Sequence, residues 1–475
     1  MVVALVALAG CTVLQPYRRP ANVAPPELYR DTLAHPAPGE DSAKAAVGAP
    51  IVPERPPVTV TDTATFATLP WKQVFTDTIL QKLIQAAIDS NLDLKIAVAR
   101  IGEAQANFRQ SRLAFFPSLG ANAGATLQKV PSGSSGSSQA YELYLNSAWE
   151  VDLWGKLRSA SRAELADLLQ SYAYRSAVQT QLVASIATDY YALMAYDQEL
   201  KVTIATVGNR KEDVKITQDL MEGDVVTGAA FMQSQAGMYS VAVTIPDIKE
   251  NIRETENAIC YLLARPSGRI DRDSLDVQQL PPSLGTGVPL QLLSNRPDVQ
   301  EAEFQLRNGA ELTNVARTYF YPALTITGEG GVSNSNLGQL LNASSVFANL
   351  IGGLTQPIFD NGLNRQRLEV AKGVQEEYLN DFKEALLTAG QEVSNALFDY
   401  KSATDKIRIR AKEIYYLQKA VDETQELMKY DQANYTDVLT SEQNLLAGQL
   451  AGISDKLQQL QAVVTLYTSL GGGWR

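Results

Sequence analysis

The chain has 475 residues, 45% of them hydrophobic, and a formal net charge of −11 from 41 basic and 52 acidic side chains. Such an acidic chain is a poor ligand for nucleic acid, because binding to phosphates needs clustered positive charge. No run of eighteen apolar residues occurs, so no transmembrane helix is predicted. The single histidine, His35, lies in a proline-rich segment. It is therefore a poor candidate for a catalytic triad, a general acid or base, or a zinc ligand. We therefore expect neither an enzyme nor a cofactor.

The first 70 residues predict a lipid-anchored and non-globular start. An apolar run at residues 2–7 leads into Leu8-Ala9-Gly10-Cys11, which is similar to the lipobox at which bacterial lipoproteins are cleaved and acylated. We expect residues 1–10 to be a signal peptide and Cys11 to carry the lipid, although no Lys or Arg precedes the apolar run. The following segment, to residue 70, is rich in Pro, Ala and Thr and predicts an extended tether, because it cannot bury enough apolar surface to fold alone.

The rest of the chain contains a duplication. Residues 88–124 correspond to residues 293–329, with Phe116-Pro117 falling on Tyr321-Pro322. In both copies a long polar helix reaches an aromatic-Pro corner, after which small residues alternate with period two. A duplicated unit that changes from helical to strand periodicity predicts one object with a helical part and a β part.

Each copy contributes one predicted β-hairpin. Leu143 and Leu145 share one face of a predicted strand, and Tyr144 lies on the other. Strands of about ten residues or longer can cross a bilayer when tilted. A water-soluble sandwich would show the same alternation. Four strands cannot close a barrel, however, and lipid tolerates no open edge, so in a membrane several chains would have to share one barrel.

The long segments after each hairpin predict helices with narrow apolar seams. Steps of three and four residues indicate helices that supercoil with their neighbours. Their remaining faces are polar and must meet water, either outside or along an internal channel. Cys260 lies in this pattern and is expected to be a small buried hydrophobe. The seam residues that correspond after a shift of 208 are Met238, Ile245, Ile252 and Ile259 in the first copy and Leu446, Ile453, Leu460 and Tyr467 in the second.

These patterns divide the chain into nine segments. The helical and β segments alternate in the same order in both copies, and a connector separates the copies. The predicted segments are the signal peptide at 1–10, the lipidated tether at 11–70, helical segments at 71–116 and 154–265 around a hairpin at 117–153, the connector at 266–292, and helical segments at 293–320 and 359–475 around a hairpin at 321–358, with turns at 131–136 and 333–336.

Several segments, in the same order, resemble the TolC-like outer-membrane efflux ducts, specifically the NodT-type lipoprotein branch found in RND efflux systems. The resemblance covers about residues 70–474. It is carried by Asn295-Arg296-Pro297-Asp298-Val299, Val315-Ala316-Arg317 before Phe320-Tyr321-Pro322, Ile245-Pro246-Asp247-Ile248, and Asp437-Val438-Leu439-Thr440-Ser441-Glu442-Gln443.

The resemblance implies a mixed α and transmembrane-β fold. Three identical chains would each give four strands to a twelve-stranded barrel, which continues as a long α-helical coiled-coil tunnel in the periplasm. The implied function is the outer-membrane exit duct of a tripartite efflux pump that passes drugs, toxic compounds or metals. The implied partners are a periplasmic adaptor, an inner-membrane RND transporter and the outer-membrane lipid.

The resemblance also implies a gate at two helical tips, a first tip at residues 223–228 and a second tip at residues 430–437. Three-fold symmetry would place three copies of an axis-facing aspartate close together, and such a ring attracts cations. Outward-facing, solvated acids are the alternative. Asp431-Gln432-Ala433 stand where many relatives have a glycine. The candidate gate and adaptor-binding residues are Asp437, Tyr435, Asn434, Asp431, Tyr430 and Asp224.

Two other functions stay open at this point. One is the duct of a type I protein secretion system, and the other is a lipid-anchored structural coiled-coil protein without a pore. Cys11 and the NodT-like segments favour efflux over secretion. The alternation of the predicted strands disfavours a protein without a pore. In a wide, water-filled duct, selection of the cargo falls to the inner-membrane pump.

Overall fold

The computed structural model describes residues 13–20, 66–129, 137–279, 292–428, 430 and 432–475. Cys11, His35 and Asp431 lie outside the described residues. The described part of the chain forms ten α-helices and one four-stranded sheet. In chain order these are α1 (Trp71–Val74), α2 (Thr78–Ser90), α3 (Leu92–Leu113), β1 (Ser118–Lys129), β2 (Ser137–Val151), α4 (Lys156–Glu222), α5 (Gly228–Ala242), α6 (Thr244–Leu262), α7 (Leu292–Asn295), α8 (Pro297–Thr318), β3 (Ala323–Asn334), β4 (Val346–Thr355), α9 (Leu363–Met428) and α10 (Tyr435–Ser469).

These elements form two compact units, and each unit takes corresponding pieces from both copies of the repeat. The first unit contains the sheet and is built from the described residues among 13–20, 98–173 and 300–384. The second unit is helical and is built from the described residues among 66–97, 174–299 and 385–475. None of the helices in the described residues combines the length and the apolar character that a membrane span requires.

Two very long helices dominate the chain. Helix α4 has 67 residues and α9 has 66, against about 11–12 in an average globular helix. Neither contains a proline, which would interrupt the ladder of backbone hydrogen bonds. Their lengths suit a fold in which packing along seams, rather than one compact core, stabilises each helix.

The seam predicted around Met238 is real but is interrupted. Val241, Ile248 and Ile259 are buried, whereas the helix breaks at Val243 into α5 and α6. Pro246 explains the break, since a proline ring clashes with the carbonyl four residues earlier and is tolerated only in the first turn of a helix. Cys260 is buried as expected, and its Sγ lies 3.3 Å from the carbonyl oxygen of Gly268.

The duplication reappears as a pair of equivalent ties in the second unit. In the first copy, Asn91 caps the start of α3 and donates its amide to the carbonyl of Leu262 at the end of α6, at 3.0 Å. In the second copy, Arg296 precedes α8 and donates to the carbonyl of Ser469 at the end of α10, at 2.9 Å. Each copy therefore connects the start of one helix to the end of its last helix through a buried polar side chain.

Ion pairs and hydrogen bonds anchor the connector between the copies. Arg272 forms ion pairs with Asp197 on α4, at 2.6 Å, and with Glu256 on α6. Tyr190 accepts from Asp273 N in the connector at 3.2 Å and donates to Asp77, the N-cap of α2, at 2.8 Å. The described part of the connector is thereby held against the helices by charged and polar side chains in addition to apolar packing.

Candidate functional site

The sheet has strand order β1-β2-β3-β4, and all three pairings are antiparallel. The β1–β2 hairpin comes from the first copy of the repeat and the β3–β4 hairpin from the second. Strands β2 and β3 join the two copies over the register from Tyr141 opposite Asn334 to Val151 opposite Leu324. One sheet therefore contains both predicted hairpins.

Two strand ends differ from the sequence prediction. Ser333 and Asn334, predicted to lie in a turn, pair with Glu142 and Tyr141, and the connection to β4 runs over residues 335–345 instead. The apolar stripe predicted as far as Ile358 ends as a strand at Thr355. Both differences arise because pairing with a neighbouring strand decides where a strand ends, and single-sequence patterns do not contain the partner. The other predicted turn, at 131–136, lies outside the described residues.

One face of the sheet is mainly apolar across all four strands, with Gln139, Ser147 and Asn334 among its polar members. Residues directly opposite each other in an antiparallel pair point to the same face, so the register defines this set without ambiguity. Leu119 and Leu350 on the two outer strands are 74% and 80% exposed, so no other described residue covers this face there. The apolar members of this face are Leu119, Ala121, Ala123, Ala125 and Leu127 on β1, Tyr141, Leu143, Leu145, Trp149 and Val151 on β2, Leu324, Ile326 and Val332 on β3, and Val346, Ala348, Leu350 and Leu354 on β4.

The opposite face is mixed and mainly polar. Asn122 and Asn146, on neighbouring strands, form a side-chain hydrogen bond of 2.8 Å. Three carboxylates share this face, namely those of Glu142, Glu150 and Glu329. A sheet with one mainly apolar face and one carboxylate-bearing face suits a boundary between lipid and water.

The two outer strands are open. In the described residues, β1 pairs only with β2, and β4 only with β3. An exposed strand edge carries unpaired N–H and C=O groups and is a template for pairing with another chain. The sheet is therefore incomplete as a membrane structure unless β1 of one chain meets β4 of another.

Aromatic side chains collect at the end of the sheet where the strands join the helices. Trp149 Nε1 donates to the carbonyl of Phe115 at 2.9 Å, and Trp154 Nε1 donates to that of Pro322 at 2.8 Å. Tyr319 lies between two cations, Lys156 and Arg367, at 5.1 and 4.7 Å from its ring centroid. Aromatic rings with polar partners favour the headgroup level of a membrane.

The first tip connects α4 and α5 and contains a strained position. Asp224 adopts a positive φ of 57°, a left-handed conformation that aspartate tolerates better than most residues. Val225 N donates to the carbonyl of Leu220 at 2.9 Å and closes the end of α4. Thr227 caps α5 by accepting a hydrogen bond from Ala230 N. The carboxylate of Asp224 is exposed at this turn.

The second tip connects α9 and α10 and contains a capping box. The Asn434 side chain accepts from Asp437 N at 3.1 Å, and the Asp437 carboxylate accepts from Asn434 N at 3.0 Å. Both side chains are thus used to start α10. The described hydrogen bonds of Asn434, one of the candidate gate residues, stay within this first turn. Tyr430 is 68% exposed, and Asp431 is outside the described residues.

Tyr435, the first residue of α10, is the candidate that lies against the other hairpin. Its ring is half-buried beside Ser234 of α5, and burial raises the pKa of its hydroxyl.

The structure also shows two charged residues that were not among the predicted site residues, because Arg210 and Glu442 are buried in the same region. A signal was present, since Arg210 stands seven residues from two buried threonines, Thr203 and Thr217, and so occupies a seam position.

The two-faced sheet with its open edges, together with the two very long helices, defines a membrane channel protein. Residues 83–265 and 288–472 match the family described as outer membrane efflux protein. The chain belongs to this family.

Two relatives and one solved structure are similar to the chain over most of its length. It is 28% identical to the probable efflux pump outer membrane protein TtgC of Pseudomonas putida, over 98% of this chain and 93% of the relative. It is 27% identical to the probable outer membrane lipoprotein SilC of Salmonella typhimurium, over 85% and 88%. Its fold is similar to that of the outer-membrane channel OprN, with a TM-score of 0.86, 23% identity and coverage of 98% of this chain and 100% of OprN.

These comparisons confirm four of the predictions. The family is confirmed, as are the function as an outer-membrane efflux protein and the outer-membrane location. The structural neighbours include the outer-membrane channel OprN, and the likeness of its fold to that of this chain confirms the predicted fold class.

Proposed function

We propose that three copies of this chain form a passive exit duct for a tripartite efflux pump, with a periplasmic adaptor and an inner-membrane RND transporter as its partners. The observation that supports this most is the sheet, with one uncovered apolar face, one carboxylate-bearing face and two open edges. In lipid, an unpaired backbone group costs several kcal/mol. Pairing β1 with β4 of the next chain removes every open edge when the ring closes.

The faces of the sheet assign its surroundings. The exposed leucines of the apolar face would meet lipid, and the face that carries Glu142 and Glu329 would line a water-filled lumen. A lumen lined in this way offers water and charge rather than a tight binding pocket. We therefore propose that the duct passes whatever small molecules the transporter delivers, and that the chain itself does no chemistry on them.

The second tip is proposed to be the narrow, cation-selective end of the duct. Asp437 would contribute one carboxylate from each of three chains, and one side of that carboxylate is already used by Asn434 N. A ring of three carboxylates close together attracts cations and repels anions. Asp224 at the first tip and Asp431 are the alternative members of such a ring. Tyr435 is proposed to hold the tip through its contact beside Ser234 of α5.

Recordings from the purified protein in planar lipid bilayers test both the duct and its gate. The wild type is expected to conduct as a trimer, to prefer cations and to be blocked by trivalent cations from the periplasmic side. The Asp437→Asn variant should lose that block, because it removes the charge but keeps an oxygen for the capping box. The Tyr435→Phe variant should raise the resting conductance if its hydroxyl holds the tip.

Two outcomes would contradict the proposal in different ways. Bilayers that show no channel, with the protein folded and inserted, would leave a structural role without a pore. A wild-type channel whose selectivity and block are unchanged in Asp437→Asn would keep the duct and move the ring to Asp224 or Asp431. Asp405→Asn is the matched control, because Asp405 is an exposed acid on α9 and its loss should leave the block intact.

We propose that Cys11 is the lipidated first residue of the mature chain. Support comes from the segment that follows it, which is held on the same unit as the sheet. Gln15 exchanges two hydrogen bonds with Asn314 on α8, at 2.9 and 2.8 Å, and Arg19 pairs with Glu303 at 2.6 Å. A lipid four residues before Gln15 would therefore attach close to the membrane part of the protein.

The Cys11→Ser variant is expected to lose its acyl chains and most of its yield in the outer membrane, while the trimers that do form keep a wild-type conductance. One acyl anchor only supplements the attachment that a barrel already provides. Mass spectrometry of the intact mature protein measures the modification, and Cys260→Ser is the control that should remain acylated. An unmodified Cys11 in the wild type, or residues 1–10 retained in the mature chain, would refute this proposal.

A further inference from the structure

A cluster of charged side chains is buried between the two helical hairpins near their tips. At its centre is Arg210, about three turns before the end of α4 and only 1% exposed. Its Nη1 donates to the carbonyl of Gly237 on α5 at 2.7 Å, whereas its Nε and Nη2 are buried without a hydrogen-bond acceptor. A buried guanidinium with unused donors needs negative charge close by.

That charge comes from two carboxyl groups on different hairpins. Asp213 lies one turn after Arg210 on α4, and Glu442 lies about two turns into α10 and is 9% exposed. Each carboxyl group acts on the pKa of the other, and both lie near Arg210. Two buried carboxylates that act on each other in this way repel unless one of them holds a proton. Asp213 Oδ2 is buried and accepts no hydrogen bond from an N–H or hydroxyl donor.

Among the described residues, the remaining neighbours of the cluster add no second cation. On α9, Gln425 Nε2 donates to Glu442 at 3.2 Å. From α5 the cluster meets the hydroxyl of Ser234 and the backbone of Gly237, and from α10 it meets the ring of Tyr435. Glu212 on α4 is the other charge that acts on Asp213, and it repels an additional negative charge. In the cluster of Arg210, Asp213 and Glu442, one positive charge therefore faces two carboxyl groups.

We propose that the Asp213–Glu442 carboxyl pair is a one-proton switch that fastens the two helical hairpins at their tips. With the proton in place the cluster is neutral, and a hydrogen bond between the two carboxyl groups joins α4 to α10. Without it, the cluster buries a net negative charge, and the two carboxylates repel each other across the contact. The tips should then open more readily, with Tyr435 and the start of α10 moving away from α5.

The direction of the pH dependence follows from the burial of Glu442. Burial raises its pKa from an ordinary value of 4.5 to about 7, the Asp213 carboxyl acts in the same direction, and Arg210 opposes both. Burial also raises the pKa of Asp213. The closed tip therefore holds a proton that an opened, hydrated tip would release. Its stabilisation is fully present near pH 4.5, declines as the pH rises, and is lost above about pH 7.

Hydrogen exchange of the full-length protein, measured between pH 5 and pH 8.5, tests the switch without reference to conduction. Protection factors, which are corrected for the intrinsic exchange chemistry, are compared for peptides around Arg210 and Glu442 and for α8 as an internal reference. The wild type is expected to lose about tenfold or more in protection at the tips across this range, since each unit of pKa shift corresponds to a factor of ten. Helix α8 should change little.

Two variants and a control assign the effect. Glu442→Gln should remove most of the pH dependence of tip protection, because the amide stays neutral and only Asp213 is left to titrate. Asp213→Asn should move the decline to lower pH, because it removes the competing carboxyl from beside Glu442. Glu423→Gln, an exposed site on α9, should behave as the wild type. A wild type whose tip protection does not change with pH would overturn the proposal, and so would a Glu442→Gln variant that keeps the wild-type pH dependence.

Discussion

Adding one methyl group at Gly331 is expected to reduce the assembled protein in the outer membrane to a small fraction of the wild-type level. A Cβ at this position of β3 would lie 2.2 Å from the carbonyl oxygen of Leu143 and 2.4 Å from the Cα of Tyr144. These are backbone atoms of β2, so no side-chain rotation can relieve the clash. Either β3 must separate from β2 at this point or the register must shift.

The cost of that separation is larger here than in a soluble sheet. Overpacking a core typically costs about 1–3 kcal/mol, and each backbone group left unpaired in lipid adds several kcal/mol. The β2–β3 pairing also joins the two copies of the repeat, so its loss would split the four-stranded unit into two hairpins. Isolated hairpins are at best marginally stable.

The Gly331→Ala experiment has a matched control in the same sheet. A Cβ on Gly352 of β4 would meet nothing within 4 Å, so Gly352→Ala should assemble like the wild type. The readout is the amount of folded trimer extracted from outer-membrane fractions, compared with total synthesis. Equal yields for Gly331→Ala and Gly352→Ala would show that β2 and β3 do not approach as closely as described.

The sequence predicted the strands well where side-chain chemistry alternates and poorly where pairing decides. Leu143, Tyr144 and Leu145 alternate clearly, and they lie in β2. Strand β3 contains Gly328, Gly330 and Gly331, which carry no side chain and so give no alternation to read. The close approach of Gly331 to β2 depends on the partner strand, and a single sequence does not contain that partner.

At the tips, too, local motifs could be predicted from the sequence, whereas contacts between distant residues could not. A turn at each tip could be predicted from the repeat and the family resemblance, and the capping box at Asn434 and Asp437 has the spacing of a known local motif. The buried cluster could not be predicted in the same way, because Arg210 and Glu442 are far apart in the chain. What the sequence did contain was a charged residue at a seam position of a long helix, and that is a reason to search for a buried partner.

Replacing Arg296 by methionine is expected to destabilise the helical unit by about 2–3 kcal/mol. Arg296 donates to Asp298 at the start of α8, to Glu392 on α9 at 2.6 Å and to the carbonyl of Ser469 at the end of α10 at 2.9 Å. Its side chain is 8% exposed, whereas those of Asp298 and Glu392 are 44% and 45% exposed. Water can therefore solvate the two carboxylates after the substitution, which keeps the loss below that of a fully buried ion pair.

Water cannot solvate the carbonyl of Ser469 in the same way after the substitution. Ser469 is 4% exposed, and methionine fills a similar volume without offering a donor. The unpaired carbonyl and the lost tie between α8 and α10 account for most of the expected change. Arg296→Lys should fall between the wild type and Arg296→Met, because lysine keeps the charge but cannot reach all three acceptors with a planar fork.

The rate of thermal unfolding of the detergent-solubilised trimer, at one fixed temperature, measures the effect without assuming reversibility. Arg408→Met is the control, since Arg408 pairs with Asp405 on the surface of α9 with side chains 74% and 51% exposed. Such a pair contributes about 0–1 kcal/mol. If Arg296→Met unfolds no faster than Arg408→Met, the tie at Ser469 adds no stability. That result would also remove the reason to expect a stabilising effect from the equivalent hydrogen bond between Asn91 and Leu262 in the first copy.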